Sequence, residues 1–146
     1  MDTGDYTLEG HEETCIVERK GSLTELATNL LMDDYRRADA AFSRLSNSTR
    51  NPYLLVECSA AELRTRSKYV HEPARVVDAL AAMMERYKLR LILCGRCNTI
   101  TQKRTVGDMI LRLMLAHAFQ KEEDYSDVES VLSKLQERPE LPDVEK

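Results

Sequence analysis

The sequence predicts an α/β fold, and three observations carry the prediction. Short β-prone or uniformly apolar runs, at residues 14–18, 53–56 and 89–93, alternate with stretches whose apolar residues recur at helical spacing. Helix-start signals sit where those stretches open: Ser22 with Glu25, Asp33-Asp34, and Pro73. The 146 residues are 42% apolar and 32% charged, enough to bury one core and too apolar for a disordered chain.

The elements follow in order. Tyr6-Thr7-Leu8 is β-prone, and Gly10-His11-Glu12-Glu13 reads as a turn into a strand at Thr14-Cys15-Ile16-Val17-Glu18; the two runs are expected to form a hairpin. Gly21-Ser22 ends it. Ser22 and Glu25 make a capping box, followed by the stripe Leu23, Leu26, Ala27 and Leu30. A second helix carries Tyr35, Ala38, Phe42 and Leu45 on one face, and residues 46–52 read as a loop. Tyr53-Leu54-Leu55-Val56 is apolar at every position, the pattern of a strand covered on both faces.

Residues 60–68 fit no single pattern. Pro73 suits a first helical turn, with His71 expected to cap it, and Val76, Val77, Leu80, Met83, Met84 and Tyr87 repeat at helical spacing. A strand at 89–93 and a long helix at 100–119 complete a body of residues 1–120. Residues 121–146 form an acidic tail, where Ser126 and Glu129 cap a short amphipathic helix striped by Val128, Val131, Leu132 and Leu135 and ended by Pro139 and Pro142.

The net charge of −4 divides unevenly. The tail holds nine acids and four bases, which leaves the body at +1 and free to carry a basic face. No uncharged run approaches a membrane span, and Met1-Asp2-Thr3-Gly4-Asp5 opens no signal segment. With Cys15, Cys58, Cys94 and Cys97 read as reduced thiols, the expected setting is intracellular: cytoplasmic in a bacterial or phage-infected cell, nuclear in a eukaryote. Five scattered glycines make no phosphate-cradling loop.

The candidate chemistry rests on Asp5, Glu18 and Lys20. Residues i and i+2 of a strand share a face, so Glu18 and Lys20 project together, and a hairpin would set Asp5 beside Glu18. Paired carboxylates repel, and a hard divalent cation relieves them. A metal-acidified water attacks phosphodiesters, and a lysine orients that water or stabilises charge growing on the phosphate.

The letters around these residues carry more. Gly4-Asp5-Tyr6 followed by Ile16-Val17-Glu18-Arg19-Lys20 resembles the GD-Y and ERK motifs of the XPF-type structure-specific endonuclease domain, a branch of the restriction-endonuclease-like superfamily. The likeness runs over residues 3–119 and takes in the strand Pro52-Tyr53-Leu54-Leu55-Val56-Glu57. The length resembles the short stand-alone versions of phages and bacteria.

The resemblance implies a mixed sheet flanked by helices, cleavage of branched or flapped DNA, and Mg²⁺ or Mn²⁺ as cofactor. It makes Asp5 and Glu18 metal ligands with the backbone carbonyl of Arg19, Lys20 the catalytic lysine, and the Arg19 side chain a phosphate or structural contact on the opposite face from Glu18. It also implies pairing with a second copy or a related chain.

Two departures stand out. The family motif ends in an aspartate four residues after the lysine, where this chain has Thr24; the adjacent Glu25 either replaces it or serves the capping box. The family also places a helix and an acid-bearing strand upstream of GD, and here Met1 lies four residues before Asp5; the expected alternatives are a sheet without that edge strand, an absent acid, or supply by a partner chain.

Arg36, Arg37 and Arg44 fall where the family approaches DNA, and they are read as phosphate contacts or as a solvated helix face. Arg64, Arg66 and Lys68, with Lys103 and Arg104, extend a basic rim. Cys94-Gly95-Arg96-Cys97 is a lone C-x₂-C, read as buried structural thiols rather than as a redox or zinc pair. The remaining functional alternatives are a non-catalytic DNA-binding or dimerisation module and a thiol or zinc protein that uses Cys94 and Cys97.

Overall fold

Strand β2 (Pro52–Val56) sits at the centre because every one of its residues is buried. A computed structural model describes residues 3–31 and 35–120, with residues 132, 133, 136 and 137; the helix expected in the tail lies outside the described residues. The element order is β1 (Ile16–Lys20), α1 (Leu23–Leu31), α2 (Tyr35–Ser48), β2, a 3₁₀ turn (Glu62–Arg64), α3 (Pro73–Tyr87), β3 (Arg90–Leu93) and α4 (Ile100–Phe119). The sheet is β1-β2-β3 and wholly parallel, with Glu18 opposite Leu54 and Leu54 opposite Leu91.

Parallel neighbours cannot be joined by a tight turn, so helices make the crossovers. The alternation of side chains then assigns two cores. Ile16, Leu54 and Val56 point into the larger one, closed by Leu26 and Leu30 of α1, Phe42 and Leu45 of α2, and Val76, Leu80 and Met83 of α3. Val17, Tyr53 and Leu55 point the other way, under Ile110 and Met114 of α4.

The expected hairpin is reduced to one antiparallel bridge between Tyr6 and Val17. The strand itself is shifted to residues 16–20, because its long partner is β2, which holds it in parallel register as far as Lys20–Val56. The presumed loop at residues 46–52 also gives way: α2 continues through Ser48, whose hydroxyl donates to the Arg44 carbonyl at 2.7 Å. Burial of Ala38, Phe42 and Leu45 outweighs the turn preference of its serines and asparagine.

Glu72, not His71, precedes α3, and it makes no side-chain cap; Pro73 at the first turn needs no N–H partner. α3 ends at Lys88 in the left-handed conformation, φ 52°. Residues 60–68 resolve into the 3₁₀ turn and an extended exposed run.

Gly4 and Gly10 both have positive φ, 75° and 79°. Only Gly4 is also crowded, since a Cβ there would collide with Ile16 Cγ2, whereas the space around Gly10 is open. Gly4→Ala is therefore expected to cost about 1–3 kcal/mol and Gly10→Ala distinctly less, read by urea unfolding.

At the far end of the sheet, Arg90 Nη1 donates to Tyr53 Oη at 3.0 Å, and the Tyr53 hydroxyl is hydrogen-bonded to His117 Nε2 at 2.9 Å. Burial and the Arg90 charge hold His117 below its ordinary value of 6.5. A depressed folded-state pKa means that this contribution is complete above 6.5 and is lost as the pH falls through the folded value. Unfolding midpoints should decline below pH 6.5, and His117→Leu should flatten that decline.

Candidate active site

The candidate site forms on the outer edge of β1. Residues 16, 18 and 20 turn their backbone groups toward β2, as the Ile16 N–H bond to Asn51 and the Lys20 carbonyl bond to Glu57 show. Residues 17 and 19 therefore face outward. Val17 bonds the Asp5–Tyr6 backbone through both its N–H and its carbonyl, at 2.9–3.0 Å. The Arg19 N–H donates to Asp5 Oδ2 at 2.7 Å, a charge-assisted bond. The N–H and C=O of one strand residue leave on the same side, so the Arg19 carbonyl opens on the Asp5 edge.

Glu18 and Lys20 project from the same face, as their i, i+2 spacing predicts. Lys20 Nζ lies 3.5 Å from Glu18 Oε1, with both side chains largely buried, 15% and 23% exposed. Burial pushes the Glu18 carboxyl upward, and the charges of Asp5 and Glu25 push it further; Lys20 opposes them. Asp5 and Glu18 are thus close enough to repel, although they lie thirteen positions apart in the chain.

Arg19 leaves on the opposite face. Its Nε donates to Glu57 Oε1 at 2.8 Å, which raises the guanidinium pKa. A cavity of about 330 Å³ between the sheet and α4 is lined by Arg19, Glu57 and Lys103. The Arg19 side chain is accordingly held in a structural ion pair away from Glu18. Glu57 was not singled out from the sequence, although a lone acid closing an all-apolar strand was its signal.

Glu25 is engaged by the cap. Its N–H donates to Ser22 Oγ at 3.0 Å, and its Oε2 accepts from the Gly21 N–H at 2.8 Å. Thr24 sits in the first turn of α1, where its backbone carbonyl accepts from the Thr28 hydroxyl.

Beside Lys20 lies a concavity of about 540 Å³ between β1, α1 and α2, lined by Lys20, Asn29, Arg36, Arg37 and Arg44. The three arginines expected on the second helix thus share one cleft with the lysine of the motif. Arg64, Arg66 and Lys68 do not line it, and Lys68 instead rests over the Tyr69 ring at 5.6 Å. Asn29 is a second residue that sequence reasoning missed, because an asparagine within a helix gives no local signal.

The cysteine pair is close, with Cys94 Sγ 4.0 Å from Cys97 Sγ, between β3 and α4. Burial and the neighbouring thiol push Cys94 up to about 12, and burial pushes Cys15 up to about 11 and raises Cys58. Thiols shifted upward in this way are poor nucleophiles at neutral pH. Among the described residues, no group of three or more His, Cys, Asp or Glu side chains is placed to hold a metal ion, and no helix is long and apolar enough to cross a membrane. The oxygen set at β1, two mutually repelling carboxylates and one outward carbonyl, suits a hard cation that keeps several waters.

A family model described as the ERCC4 domain matches residues 1–136. Among solved structures, XPF from Aeropyrum pernix is similar at a TM-score of 0.52 and 23% identity, over 77% of this chain and 51% of that one. XPF from Aeropyrum pernix in complex with DNA is similar at 0.57 and 20%, over 84% and 55%. The chain spans about half the length of these structures, and at such identities the likeness establishes the fold, an XPF-type, restriction-endonuclease-like α/β arrangement. No curated protein matches. With the family match spanning all of the described sheet and its flanking helices, the chain belongs to the ERCC4 domain family.

Proposed function

We propose that this protein is a divalent-metal-dependent DNA endonuclease that hydrolyses phosphodiesters in branched or flapped DNA. The observation that carries this reading is the convergence of Asp5 and Glu18 at β1, with Lys20 paired to Glu18 and lining a cleft that bears three arginines. Family membership supports it, as does the fact that one of the similar structures is a complex with DNA.

Asp5, Glu18 and the Arg19 carbonyl would hold Mg²⁺ or Mn²⁺, which when bound supplies an acidified water and neutralises charge on the phosphate. Asp5 is oriented for this by the Arg19 N–H, which ties down one carboxylate oxygen and leaves the other. Lys20 opposes the upward push that burial and Asp5 exert on the Glu18 carboxyl. Lys20 itself orients the attacking water or stabilises the developing phosphate charge. Arg36, Arg37 and Arg44 meet the backbone phosphates flanking the scissile bond. Arg19 and Glu57 brace β1 from the α4 side. Pairing with a second copy or a related chain belongs to the same reading; Ile100 and Met109 of α4 are exposed apolar residues on the described surface.

A second reading, a non-catalytic DNA-binding module, is favoured by one feature: the acid nearest the family's terminal aspartate is committed to a helix cap. Cleavage of a flapped duplex with Mg²⁺ separates the two. Asp5→Ala and Lys20→Ala are each expected to lose about 100-fold or more in rate while retaining DNA affinity. Tight binding with no wild-type cleavage in Mg²⁺ or Mn²⁺ would leave only the second reading.

Arg44→Ala should weaken binding similarly across sequences and reduce the salt slope of log K by about 1. An unchanged slope would place the backbone contacts elsewhere.

Glu18 supplies a further test. Its folded-state pKa is raised above 4.5, so its favourable contribution is complete below that value and is lost as the pH rises through the folded value. Its ionised form therefore opposes folding once the pH has risen through that folded value. Glu18→Gln is expected to raise the thermal midpoint of the metal-free protein while abolishing cleavage. A lowered midpoint would show that Glu18 is held there for structure.

A further inference from the structure

We propose that Asn29 is a positioning residue that receives the Lys20 ammonium when Glu18 is engaged elsewhere; the inference rests on the nuclease reading above. Among the described residues, Asn29 Oδ1 is the buried side-chain oxygen or nitrogen that finds no hydrogen-bond partner. Such an atom carries an uncompensated desolvation cost, and native proteins keep few of them. Asn29 lies on α1 and lines the same concavity as Lys20. Among the described residues, the remaining polar side chains that line that concavity are guanidinium groups, which are donors only.

Lys20 has donors to spare. Its ammonium carries three N–H groups, and its ionic partner Glu18 stands at 3.5 Å, a long contact for a charge-assisted bond. When Glu18 commits its oxygens to a cation, that partner is withdrawn, and the ammonium needs another acceptor without a second negative charge. Asn29 is neutral, so it can hold the ammonium in place while leaving its charge available to a phosphate. The orphaned oxygen is then a vacancy in the resting state that the working state fills. Arg36, Arg37 and Arg44 cannot serve in its place, since none accepts a hydrogen bond.

The test is a mutant cycle read by thermal unfolding in chelator, so that it needs neither metal nor activity. Glu18→Leu removes the ionic partner and imitates its withdrawal. Asn29→Leu alone is expected to leave the midpoint unchanged or raise it. In the Glu18→Leu background the same change should lower the midpoint by about 2–4 °C, and adding Lys20→Met should erase that difference. Should Asn29→Leu not fold, Asn29→Ala is read in the same cycle.

With Mg²⁺ and flapped DNA, the Asn29 variant should lose about 10–100-fold in cleavage while binding DNA within about twofold of wild type. An equal effect of the Asn29 change in both Glu18 backgrounds overturns the proposal. If the cycle is positive but wild type does not cleave, the nuclease reading fails and the Lys20–Asn29 contact stands. If wild type cleaves and the cycle is flat, this inference alone is lost.

Discussion

The bond from the Arg19 N–H to the Asp5 carboxylate, 2.7 Å across fourteen positions of sequence, is the constraint on which the candidate site depends. It requires an outward-facing N–H, which only an edge strand provides, and it requires the chain to double back beside β1 after Gly4. The bridge between Tyr6 and Val17 secures that return. The crowding of Gly4 against Ile16 shows how closely the returning segment lies on the strand. Without this joint Glu18 would be a half-buried acid beside a lysine, and the second carboxylate would be lost to solvent.

The arrangement gathers unfavourable electrostatics at the candidate site. Glu18 is desolvated and faces the charge of Asp5, with Lys20 as its direct relief. A stable fold has no use for that juxtaposition, and departures of this kind from the rules of a quiet core concentrate at functional sites. β1 tolerates it because its two faces are anchored separately: Ile16 in the core under α1 to α3, and Val17 with the Arg19–Glu57 pair on the α4 side.

Charge distribution matters more here than net charge. The chain is acidic overall, yet Lys20, Arg36, Arg37 and Arg44 line one concavity. A concave cationic surface focuses field lines, so a polyanion meets a locally positive groove on a negatively charged protein. Burial raises the pKa of the Cys15, Cys58 and Cys94 thiols, which favours the uncharged form and a packing role.

Much of the fold was legible because its signals are local. Leu26, Ala27 and Leu30 on α1 and Val76, Leu80 and Met83 on α3 are buried at the positions their spacing predicts, and β2 is buried throughout, as its unbroken apolar run requires. The shared face of Glu18 and Lys20 follows from the pleat of any strand, so sequence alone determined that pair.

Tertiary structure decided the rest. The parallel partner β2 overruled the hairpin and left a single bridge, and the buried stripe of α2 carried that helix through residues that favour a turn. The meeting of Asp5 with Arg19, of Arg19 with Glu57, and of Lys20 with Asn29 and three arginines in one cleft had no local signature, because each joins elements that only the closing of two cores brings into contact.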